Sequence, residues 1–102
     1  MSQTDPSRSK RKVRLPEDLQ ADYANLVRIT HSPSEVVFDF AQALPGLQNP
    51  EINARVLMSP LSAKLLWRAL GENLKKYENR FGEIEIPGSS SLAESLFQPP
   101  EE

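Results

Sequence analysis

The chain has 102 residues, 38% apolar and 25% charged, with nine prolines, four glycines and a formal net charge of −2. It has no cysteine and one histidine, which excludes disulfides, thiolate catalysis and cysteine-ligated metals and leaves no basis for an all-histidine metal site. No apolar run reaches the roughly 20 residues that span a bilayer, so the expectation is a cytoplasmic protein of one small domain with tails.

The charge is unevenly placed. Residues 1–14 carry +4, residues 15–86 carry −3 and residues 87–102 carry another −3. The stretch 1–20 reads as a disordered basic arm, because its polar start has neither aromatic residues nor periodicity. Arg8, Lys10, Arg11, Lys12 and Arg14 are candidates for salt-sensitive contact with nucleic acid. A solubilising tail is the plainer alternative.

Residues 21–86 carry the pattern of an α+β domain. Ala24 to His31 alternates, with Val27, Ile29 and His31 on one face and Leu26, Arg28 and Thr30 on the other. Ser32-Pro33-Ser34 supplies a turn. Glu35 to Ala41 is the second predicted strand, with Val36, Phe38 and Phe40 inward. Pro45-Gly46 and Asn49-Pro50 punctuate a loop, and Glu51 to Met58 alternates again. Each proline falls between these runs, as strand pairing requires. Short connections predict an antiparallel meander.

The period then changes. Ser59-Pro60 is a helix start, serine as the cap and proline in the first turn. Leu61, Leu65, Leu66, Ala69, Leu70, Leu74, Tyr77 and Phe81 follow at helical spacing, and Gly82 is the expected left-handed stop. Twenty-two residues make a helix of roughly 33 Å, longer than a narrow sheet covers. Glu83 to Ile86 reads as a short fourth strand at an edge. Residues 87–102 form a flexible acidic tail, in which Ser91 to Phe97 has the pattern of one amphipathic turn. The predicted fold is therefore a three- to four-stranded antiparallel β-meander packed against one long helix, with disordered tails at both ends.

A folded region this small hides only about 60% of its unfolded surface. The helix overhang and the second sheet face, with Leu26, Val37 and Leu57, leave apolar area that a second copy would cover. Leu57, Trp67, Leu74 and Tyr77 are the candidate homodimer interface; tails folding back are the alternative.

Several spaced motifs also resemble a family of small bacterial and archaeal proteins known as domain of unknown function 3467. They are Tyr23-Ala24-Asn25, Ser32-Pro33-Ser34-Glu35, Asp39-Phe40, Arg55 through Pro60, Ala63-Lys64, Asn73-Leu74, Tyr77-Glu78 and Phe81-Gly82. The resemblance covers residues 23–86 and implies no activity.

Reactive groups are sparse. His31 with Glu35 or Asp39 has the makings of a general base, but a turn histidine is the simpler reading. Arg28, Asp39 and Arg55 are placed to pair across neighbouring strands, or to form a polar patch for a ligand. No phosphate loop, nucleophile elbow or metal-ligand spacing occurs, so an enzyme is not expected, nor a cofactor. On the helix, Lys64, Arg68 and Lys75 with Trp67 are candidates for tracking single-stranded nucleic acid, or simply a solvated face. The leading expectation is a non-catalytic homo-oligomeric interaction module; a single-stranded nucleic-acid binder is the second.

Overall fold

A computed structural model describes residues 11–87 and the backbone of the two-residue strand Phe97–Gln98. Strands β1 (Leu26–His31), β2 (Val36–Ala41) and β3 (Ile52–Met58) form the meander, and α1 (Pro60–Phe81) follows directly. The expectations for residues 1–10, and for most of the acidic tail, lie outside the described residues.

The turn residues set the register. Ser32 Oγ accepts a hydrogen bond from the Ser34 N–H, and Ser32 N–H donates to the Glu35 carbonyl at 2.9 Å. His31 thus stands opposite Val36, Ile29 opposite Phe38 and Val27 opposite Phe40. On β3, Val56 stands opposite Phe38 and Ala54 opposite Phe40. One sheet face is therefore apolar except for His31 at its end, and the rings of Phe38 and Phe40 stack along it at 6.4 Å. The opposite face carries Arg28, Asp39 and Arg55 in one row. An irregularity between Phe40 and Ala41 brings Ala41 opposite Ile52 and leaves Asn53 as the extra residue.

The helix starts as its sequence requires. Ser59 has extended backbone angles, and its Oγ accepts from the Ser62 N–H at 3.1 Å. At the other end Gly82 has φ 107° and ψ 159°. This positive φ suits glycine, but the residue is extended rather than left-handed helical as predicted. Its N–H still donates to the Glu78 carbonyl at 2.9 Å.

The predicted strand at Glu83–Ile86 does not form; residues 82–87 carry no regular structure. The Ile84 N–H donates to Glu78 Oε2 at 3.0 Å, so a donor that a strand would use is spent on the helix end. The fourth strand, β4, is Phe97–Gln98 instead. It lies parallel to β1, giving the order β3-β2-β1-β4.

Packing between the layers is slight. Leu66 and Leu70 of α1 face Val27, Ile29, Phe38 and Phe40 across an open apolar groove of about 340 Å³. Among the described residues, Val27 and Ala41 are the buried apolar side chains, and none belongs to α1.

Candidate functional site

Two surfaces hold the residues singled out by sequence. The first is the polar row on the sheet. Asp39 lies in the central strand, with Arg28 of β1 and Arg55 of β3 directly opposite it on either side. Arg55 grips the carboxylate through two bonds, Nε to Oδ1 at 2.6 Å and Nη2 to Oδ2 at 3.1 Å. Arg28 Nη2 adds a third at 3.1 Å. The Asp39 side chain is only 1% exposed, while the side chains of Arg28 and Arg55 remain 46% and 59% exposed. The hydrogen bonds from Arg55, then the one from Arg28, hold the Asp39 carboxyl below its ordinary value against the upward push of burial. The same pairing raises Arg55.

Beside this row the 42–51 loop walls a cleft of about 540 Å³, lined by Arg28, Leu47, Gln48, Asn49, Pro50 and Ile52 among others. Asn25 pins the loop, accepting from the Ala43 N–H at 2.7 Å and donating to its carbonyl at 3.1 Å. Chemically, the row is one buried carboxylate under two partly open cations. Its net charge is +1, and it has guanidinium donors to spare. Sequence alternation placed these three residues on one face; the near-complete enclosure of Asp39 it did not reveal.

The second surface is α1. Trp67 is 68% exposed, and Leu74 and Tyr77 are about half exposed. Tyr77 therefore lies outside any core of its own chain and packs against Phe81 at 5.0 Å between ring centroids. Arg68 and Lys75 line a shallow groove with Trp67, Gly71 and Glu72. Lys64 is exposed on the same helix. Leu57, also about half exposed, belongs to the Arg28–Asp39–Arg55 face. It is thus on the side of the sheet away from Leu66 and Leu70, and the four candidate interface residues do not form one patch.

Of the basic arm, Arg11, Lys12 and Arg14 are exposed in a segment without strand or helix, and Arg8 and Lys10 lie outside the described residues. His31 stands exposed at the end of β1. Among the described residues no group of three histidine, aspartate or glutamate side chains converges as metal ligands. No described helix is long and apolar enough to cross a membrane.

A meander with a polar cross-strand row and one long helix defines a small α+β protein. The chain matches the family described as Protein of unknown function (DUF3467) over residues 2–86, and it belongs to that family. The match takes in the N-terminal arm as well as the centre that the motifs marked. No curated protein and no solved structure matches the chain.

Proposed function

We propose that the chain is one subunit of a non-catalytic homodimer, a cytoplasmic interaction module in which α1 meets a second copy. One observation carries this reading: a helix of 22 residues without a buried side chain stands over a sheet whose buried apolar residues are Val27 and Ala41. Ordering a residue costs roughly 1–2 kcal/mol of conformational entropy. Fully burying a large apolar side chain returns only about 1.5–3 kcal/mol, so a core this small leaves the lone protomer without a driving force.

The helix has the area to supply one. Leu61, Leu65, Leu66, Trp67, Leu70, Leu74, Tyr77 and Phe81 are each between 40% and 68% exposed. Together they offer apolar surface on the order of the ~800 Å² that each partner of a specific interface buries. Sedimentation tests this: a dimer at micromolar concentration is expected, and a stably folded monomer there overturns the reading.

A second reading, single-stranded nucleic-acid binding, draws on the groove where Trp67 lies beside Arg68 and Lys75. Glu72 lines the same groove and opposes a phosphate backbone, which sets this reading behind the first. Oligonucleotide affinity at two salt concentrations decides it. A true site weakens steeply with salt, and removing residues 1–14 lowers the slope. Failure to bind at low salt ends it.

A further inference from the structure

Resting on the dimer reading, we infer that α1 pairs antiparallel with α1 of a second copy about a two-fold axis near Gly71, with Lys64 against Glu78 of that copy. Ala63, Trp67, Leu70, Leu74, Tyr77 and Phe81 recur at alternating steps of four and three. This is the spacing of a seam between two helices. The large members of the row are 43% to 68% exposed, Leu70 among them although it also borders the groove over the sheet.

Two rows flank the seam. Leu66, Asn73 and Arg80 form one, and Leu66 with Leu70 already faces the sheet. Lys64, Gly71 and Glu78 form the other, which is the side left for a second helix. A two-fold axis across an antiparallel pair sets this row against its own copy, with each contact made twice. Gly71 then meets Gly71, and each lysine meets a glutamate.

The seam residues match in the same register. Ala63 falls opposite Phe81, Trp67 opposite Tyr77 and Leu70 opposite Leu74, so a small side chain receives a large one and aromatic meets aromatic. A parallel pair would set Phe81 on Phe81 and Ala63 on Ala63, and Glu78 would face Asn73 with no opposite charge to meet. Gly71 adds an independent reason. Glycine within a helix is destabilising relative to alanine, yet a Cβ at Gly71 would meet nothing within 4 Å of its own chain. At the crossing point the missing Cβ lets two helix backbones approach closely.

Charge reversal in the full chain tests the register. Lys64→Glu places four glutamates along the flanks of its homodimer, and Glu78→Lys places four lysines there. Each variant is expected to dissociate roughly tenfold more readily than wild type, because two attractive pairs become repulsive. Mixed one to one, the two variants regain both pairs and form the heterodimer in preference to either homodimer. Glu78→Gln is the control for the helix end, since its side-chain oxygen can still accept from the Ile84 N–H. It is expected to weaken the dimer less than Glu78→Lys. A monomeric wild type overturns the dimer itself. A wild-type dimer whose reversed variants associate equally well, with a statistical mixture, overturns this register and leaves the dimer standing.

Discussion

Arg55 and Asp39 face each other across β3 and β2, joined by two hydrogen bonds of 2.6 and 3.1 Å, and the carboxylate they share with Arg28 is almost sealed from water. A buried charge is tolerable only when it is paired and its lone pairs are used. Asp39 meets that condition with three donors from two strands. The pairing ties β1, β2 and β3 together on the face that the helix does not approach.

Acid should weaken the fold through this residue. The folded-state pKa of Asp39 lies below its ordinary value of 3.8. Its contribution is therefore complete well above that value and is lost as pH falls through the lowered folded pKa. Asp39→Asn leaves both guanidinium groups without their anion and is expected to lower stability at neutral pH. Urea unfolding of the two proteins from pH 7 to pH 2 checks the sign. Their difference should hold steady above about pH 5 and shrink in strong acid; a difference independent of pH over the whole range refutes the assignment.

On the proposed dimer, Trp67, the chain's one tryptophan, is the natural reporter of assembly. It is 68% exposed in the protomer, so its emission should shift to the blue as concentration drives dimerisation. Trp67→Ala should weaken the dimer by about 2 kcal/mol, the scale of a central aromatic anchor. Sedimentation equilibrium gives the dissociation constant. An unchanged constant would place Trp67 outside the interface.

Ser59→Ala removes the hydroxyl that accepts from the Ser62 N–H. The expected cost is about 1 kcal/mol of stability, with Pro60 still starting the helix. Thermal or urea unfolding measures it, with protein concentration held fixed because a proposed dimer would make the midpoint depend on it.

Asn25→Ala should loosen the 42–51 loop, because both polar ends of the Asn25 amide are bonded to the Ala43 backbone. Hydrogen exchange at the Ala43 N–H is expected to rise by about tenfold or more, consistent with losing a part-buried hydrogen bond. Exchange in α1 should stay as it was. Equal acceleration across both regions would mean a global loss of stability instead.

Much of this molecule follows from local patterns. The Ser32-Pro33-Ser34 turn, the alternation of β1 to β3 and the Ser59-Pro60 helix start are each written in a few neighbouring residues, and the observed elements agree with them closely. Glu83 to Ile86 has the same alternation and is not a strand. Its backbone donor at Ile84 is taken by Glu78 six positions earlier, a competition that a short window cannot display. The interface candidates are split between two surfaces for a similar reason. Leu57 and Trp67 are both apolar and exposed, but strand parity sends Leu57 to the face away from the helix.

The sequence by itself determined where the chain turns, where the helix is capped, and that few reactive groups exist, because those properties depend on residue type and short spacing. Only the tertiary structure decided that Asp39 is enclosed between Arg28 and Arg55 and that β4 joins β1 in parallel. Only it showed how little of α1 its own sheet covers. Those outcomes depend on register and on distances between segments remote in the chain, which local periodicity does not encode.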